Sequence, residues 1–142
     1  MDVNTILSDF EKIKTSCKQL KGKKIIVGIV GSADSEVLKI AHAHEYGTGR
    51  LPERSFIRSS FDAEQEKLGE IVSGAVGKVL SNQMSVDSAM NSIGAQAAQL
   101  VQNYIDDNQV KPQSDFSKKT QHTTLYETGT HIRDRIAYKV EG

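Results

Sequence analysis

Between residues 40 and 58 the chain reads Ile-Ala-His-Ala-His-Glu-Tyr-Gly-Thr-Gly-Arg-Leu-Pro-Glu-Arg-Ser-Phe-Ile-Arg, and this stretch limits the fold more than any other. A helical pattern stops there, a tight loop turns, and a second helix begins. Gly47 and Gly49 permit positive φ or close backbone approach. Pro52 fixes its own φ just before helix entry and holds Leu51 extended. Glu45, Arg50, Arg54 and Arg58 crowd the loop with opposite charges, while Tyr46, Phe56 and Ile57 offer apolar anchors. These features predict a rigid, shaped loop over residues 47–55 that faces a partner.

A chain of 142 residues is one domain's worth and is long enough to bury about 70% of the surface of its unfolded form. We therefore expect a single domain over 1–142. The 18 basic residues balance the 18 acidic ones, so no net field draws the chain toward nucleic acid or an anionic membrane. The longest apolar run, Ile25 to Val30, falls far short of the roughly 20 residues of a membrane span. Met1-Asp2-Val3-Asn4 lacks the basic and apolar regions of a secretion signal, which predicts a protein that stays where it is made. The one cysteine, Cys17, sits in a helical pattern beside Leu20 and is expected as a free core thiol.

Ile6, Phe10, Ile13, Cys17 and Leu20 recur at helical spacing, which predicts an amphipathic helix over 4–20 with one buried stripe. Residues 24–30 are short, β-branched and bounded by glycines; they predict a strand covered on both faces. Asp34 or Ser35 can cap a helix reaching Tyr46. After the loop, Ser55 can cap a helix running to Leu80, in which Gly69, Gly74 and Gly77 suggest close packing or a kink. Ser85 starts a further helix to Ile105 whose apolar face is rich in small residues; both a core face and a dimer seam fit it. The two long helices predict an antiparallel hairpin. Residues 106–124, polar and carrying Pro112, read as a long loop. From Thr130 to Val140 apolar residues alternate with Arg133, Arg135, Ala137 and Lys139, with Asp134 out of pattern. This predicts a terminal strand that pairs with 25–30 and carries a basic outer face, either a solvated edge or a subunit contact. The expected fold is α+β, a small antiparallel or mixed β-sheet packed against helices including a long helical hairpin, with two extended loops.

His42, His44 and Glu45 suggest a small metal-dependent hydrolase, with His122 or His131 completing a site. On a helix, however, positions 42 and 44 lie about 200° apart and cannot close on one ion. Gly28-Ile-Val-Gly31-Ser lacks both the third glycine of a dinucleotide turn and the Gly-Lys-Ser/Thr of a phosphate loop. Gly47-Thr-Gly49-Arg50 can form an anion nest but has no catalytic companions. Ser32, Ser35 and Ser55 carry no nucleophile signature. Arg50, Arg54 and Arg58 stand among Glu45, Glu53 and Asp62, which favours ion pairing within or between subunits over nucleic-acid contact. These residues argue for no catalysis, no cofactor and no metal.

The segment Ile40-Ala41-x-x-x-Glu45-Tyr46-Gly47-Thr48, followed by Pro52-Glu53-Arg54-Ser55-Phe56-Ile57-Arg58, resembles the central signature of the tail-completion or neck proteins of tailed bacteriophages. The helix ending at Ile105, the Pro112 loop with paired lysines, and Leu125-Tyr126-Glu127-Thr128-Gly129 before the last strand are similar to features that follow it in that family. Ser55 stands where many relatives have a second proline, and the stretch before the paired lysines has fewer prolines than usual. The resemblance implies a structural virion protein of the neck or tail, made in the host bacterial cytoplasm. Its implied partners are itself, in a ring typically of six subunits, the head connector or adaptor proteins, and the tail-terminator or tail-tube proteins. No membrane and no sequence-specific nucleic acid is implied, although DNA passes through such rings. A tail-terminator ring is the nearest alternative, and a bacterial regulator is a more distant one. Glu45, Tyr46, Gly47, Thr48, Pro52, Arg54 and Phe56 are then expected to shape the loop, Arg50 and Arg58 to lie at subunit contacts, and Leu125, Thr128 and Gly129 to form the C-terminal motif. Charge reversal at Glu45 or Arg54 is expected to impair assembly while leaving the subunit folded.

Overall fold

The computed structural model describes residues 2–29, 35–47, 49, 55–107 and 132–142. In chain order the elements are α1 (Val3–Lys21), β1 (Lys24–Ile29), α2 (Ser35–Tyr46), α3 (Ile57–Ala63), α4 (Gln65–Leu80) and α5 (Val86–Asp106). A 3₁₀ turn, Ile132–Arg135, then leads into β2, Ile136–Glu141. The fold is α+β, as the periodicities predict. The loop over 106–124 and the motif Leu125, Thr128 and Gly129 lie, from residue 108 on, outside the described residues, as do Asp34, Thr48, Arg50, Pro52 and Arg54.

The sheet is a two-stranded antiparallel ribbon in which Ile25 pairs with Val140, Val27 with Tyr138 and Ile29 with Ile136. Two strands alone are marginal in water and need a helix against one face. That helix is α5, the most buried element of the described chain. Ser85 opens it by accepting from Ser88 N at 3.1 Å. Val101, Ile105 and Ala98 of α5 meet Phe56, Ala41, Ile132 and Ile136 in one cluster. Val86, Ala89, Met90 and Ile93 meet Ala75 and Val79 of α4 in a second. Thus α5 joins the strand pair to its hairpin partner α4, and the stripe rich in small residues is core. Gln102 Nε2 also donates to the Arg133 carbonyl at 3.2 Å, fixing the turn that launches β2.

The small residues have a specific geometric use at Gly94. A Cβ built there would lie 2.3 Å from Cδ2 and 2.7 Å from Cγ of Tyr138, so the ring of β2 lies directly on the backbone of α5. The Tyr138 hydroxyl donates to Asn91 Oδ1 at 3.0 Å, one turn away.

Several expectations need correction. The helix expected from Ser55 to Leu80 is two helices, broken at Glu64, which has φ −112° and ψ 25°. Gly69, Gly74 and Gly77 do not cause that break: they lie inside α4, and a Cβ at each would meet nothing within 4 Å. The terminal strand begins only at Ile136, and Asp134 breaks the alternation because it belongs to the 3₁₀ turn. Of its expected basic face only Lys139 lies in the strand, paired with Glu141 at 3.2 Å, while Arg133 sits in the turn and pairs with Asp106 at 2.8 Å. β1 is only half-buried apart from Gly28, since a two-stranded ribbon with one helical layer leaves its strands partly open. Finally, α1 forms where its spacing predicts but buries none of its residues, and Cys17 is exposed rather than a core thiol.

These glycines predict opposite outcomes for one substitution. Gly74→Ala, in open space on an exposed helix, should stabilise the protein by about 0.5–1 kcal/mol through the lost unfolded-state freedom of glycine. Gly94→Ala should destabilise it by about 1–3 kcal/mol because the Tyr138 ring must move. Urea denaturation midpoints of the two variants test the pair.

Candidate functional site

The residues singled out by the sequence converge where α2 ends and α3 begins. Gly47 closes α2: its φ is 75° and its amide donates to the Ala43 carbonyl at 2.8 Å. This is the left-handed C-terminal cap for which glycine is the least strained residue. Positive φ at position 47 is therefore used as expected.

A helix beginning at Ile57 must find acceptors for its first amides. Its N-cap position is Phe56, which offers no side-chain acceptor. Glu45, on the last turn of α2, supplies the acceptors instead. Its Oε2 accepts from the amides of Phe56 and Ile57, both at 2.9 Å, and its Oε1 from the amide of Arg58 at 2.9 Å. Oε1 also accepts from the Ser55 hydroxyl and from Arg58 Nε, each at 2.9 Å. Ser55 Oγ then accepts from the Ser59 amide at 3.2 Å. Glu45 is thus a remote N-cap, and Ser55, expected to cap the helix, takes the fourth amide.

The contact is reciprocal. The Arg58 guanidinium donates through Nη2 to the Glu45 backbone carbonyl, among the last acceptors of α2. A carboxylate sits at the positive end of α3 and a cation at the negative end of α2, the favourable sense for both helix dipoles. Arg58 Cζ also lies 4.5 Å from the Tyr46 ring centroid, and Tyr46 stacks on His42 at 4.8 Å between ring centroids. Below this network, Phe56 is fully buried against Ala41 and α5.

Glu45 is 5% exposed. Burial alone would raise its carboxyl pKa, but the amides of Ile57 and Arg58, the Arg58 side chain and the Ser55 hydroxyl outweigh it and hold the group below its ordinary value. The carboxylate has no spare capacity to act as a base or metal ligand. His42 is exposed and stacked while His44 is buried, so the two do not share an environment. Among the described residues no three histidine, cysteine, aspartate or glutamate side chains gather at metal-binding distance.

Of the sequence-predicted residues, Glu45, Tyr46, Gly47, Phe56 and Arg58 are brought together here. Arg58, assigned to subunit contacts by the resemblance, is committed within its own chain; it realises the ion pairing expected of the arginine cluster. The prediction that a reversed Glu45 leaves the subunit folded does not survive this geometry, since a cation there would face three amide donors. The remote capping role of Glu45 was missed. Its signal was present in an acid two residues before a helix-ending glycine, followed by a helix whose N-cap is a phenylalanine. Comparison with protein-family models, with curated proteins and with solved structures gives no match.

Two outcomes follow for stability. Glu45→Ala should cost about 3–5 kcal/mol by leaving buried donors and Arg58 uncompensated. Arg58→Ala should cost only about 1 kcal/mol, because the guanidinium is half exposed and the amides keep their carboxylate. Exchanging the two charges, E45R with R58E, should rescue nothing, since each would then oppose its helix dipole; chemical denaturation of the three variants checks this. For pH, a lowered pKa means that the contribution of Glu45 is complete above about pH 4.5 and is lost as pH falls through the folded-state value. The wild type should therefore lose stability on acidification below about pH 4.5, and Glu45→Gln should lack that part of the loss in a pH series of thermal melts.

Proposed function

We propose that this chain is a non-catalytic assembly subunit of the neck of a tailed phage or phage-derived tail, forming a ring that completes the tail and joins it to the head connector. The carrying observation is the Glu45–Arg58 junction. The signature residues that resemble the neck family are spent on holding Gly47 and Ser55, the two ends of a loop, in fixed relation. Arg50 and Arg54, which belong to the signature stretch, lie between Gly47 and Ser55 in sequence. The mixed and balanced charge suits subunit contacts made through complementary ion pairs rather than adhesion to DNA or membrane. Catalysis through His42, His44 and Glu45 is disfavoured, because the one carboxylate among them is already saturated.

Light-scattering mass across a chromatographic peak, with negative-stain images of the same fractions over a range of concentrations, tests the reading. Rings of uniform diameter are expected, alone or on tails. Arg50→Glu and Arg54→Glu should lower ring formation or tail joining by roughly tenfold or more while leaving the melting temperature unchanged. Normal tails from both variants, or a chain that neither forms rings nor binds tails, would sink the proposal.

A further inference from the structure

Helix α1 places Val3, Ile6, Phe10, Ile13, Cys17 and Leu20 at alternating spacings of three and four, a strict heptad seam. Of the eight large hydrophobic residues that the described chain leaves exposed, five lie on the first three turns of this helix: Val3, Ile6, Leu7, Phe10 and Ile13. Phe10 is 60% exposed and Val3 69%. Such a concentrated stripe differs from the isolated apolar residues normal on a surface and marks a contact. The helix is held to the body from Asp9 onward, where Leu20 packs against the α4–α5 cluster and Asp9, Lys12, Ile13 and Ser16 line an open groove with Val79 to Asn82. Asp2 fixes its start by accepting from the Thr5 amide at 2.7 Å. The stripe is therefore presented on an ordered helix.

The charges beside the seam select its occupant. With Val3, Phe10 and Cys17 at one seam position and Ile6, Ile13 and Leu20 at the other, Asp2, Asp9 and Ser16 flank one edge, and Leu7, Lys14 and Lys21 the other. Two copies packed parallel and in register bring Asp9 of each opposite Lys14 of the other. Antiparallel copies bring Lys14 opposite Lys14 or Leu7, and Asp9 opposite Ser16, with no opposite-charge pair. We propose that the exposed face of α1 is covered by α1 of a second copy of this chain, parallel and in register. The inference goes beyond the neck reading and does not depend on it. With Leu20 held by the body of its own chain, the seam from Val3 to Cys17 is about two heptads and too short to hold as a free peptide, so pairing is concentration-dependent and relies on the anchoring of α1 to the body of the chain.

The native thiol reports the geometry. In the parallel pair Cys17 faces the second copy's Cys17 within disulfide reach, whereas in an antiparallel pair the two lie about 16 Å apart. Mild copper–phenanthroline oxidation of the wild-type protein should give a cross-linked dimer, alongside a mass that rises with concentration. Phe10→Glu should reduce both by roughly tenfold or more without changing the melting temperature at concentrations where both proteins are monomers, because Phe10 is exposed in the single chain. A thiol moved to the opposite side of the helix, S8C with C17S, should cross-link far more slowly. A monomer mass at every concentration would overturn the seam, as would association without Cys17 cross-linking, equal cross-linking from position 8, or monomers that instead bind anionic lipid vesicles through Phe10. Rings formed by a protein whose Cys17 cross-linking is the same in Phe10→Glu as in the wild type would uphold the neck reading and overturn this one. Phe10-dependent dimers in a protein that makes no rings and joins no tails would do the reverse.

Discussion

A carboxylate taken out of water must be surrounded by donors, and at Glu45 this requirement organises the middle of the chain. Five hydrogen bonds converge on its two oxygens, three of them from consecutive backbone amides. Those amides point at one acceptor only if α3 starts at Ile57 and aims its first turn at the end of α2. That orientation sends Phe56 inward, where it joins Ala41, Val101, Ile105 and Ile132. The polar contact thus sets the direction of a helix, and the helix sets the position of the largest fully buried side chain. The burial that makes the carboxylate costly to ionise is supplied by the same residues that hold it charged.

Legibility in the sequence varied by element, for physical reasons. β1 was readable as a short β-branched run bounded by glycines, β2 from its alternation, and α5 from a helical period along its whole length with Ser85 as a local cap. The break at Glu64 was not readable, because no proline or glycine marks it; attention fell instead on Gly69, Gly74 and Gly77, which sit in open helix and affect propensity alone. The terminal strand was drawn too long because Ile132 and Ile136 keep apolar phase through a 3₁₀ turn. At the junction, the identity of Glu45, Gly47, Phe56 and Arg58 as shape-giving residues could be read, whereas their pairing could not. A side chain capping a helix eleven residues away leaves no periodic trace.

The first helix illustrates a different limit. An amphipathic pattern states that a face prefers cover and is silent on what covers it. In α1 the stripe was expected to meet the chain's own core, yet the core is already closed by α4, α5 and the ribbon. Leu20 packs against it, and Ile13 and Ser16 line an open groove beside Val79 and Leu80. A 19-residue helix is about 28 Å long, so contacts made from Asp9 onward leave Val3, Ile6 and Leu7 of its first turns exposed.

The placement of the junction outside the loop it closes has an evolutionary consequence. The closure of residues 47–55 is fixed by Glu45, Gly47, Ser55, Phe56 and Arg58, which flank the segment or lie at its margins. Lengthening a closed segment adds little entropy, growing only with the logarithm of its length. On closure entropy alone, the segment between the anchors can therefore lengthen at little cost to the domain that holds its two ends, which separates the requirement for closure from the length of what is closed.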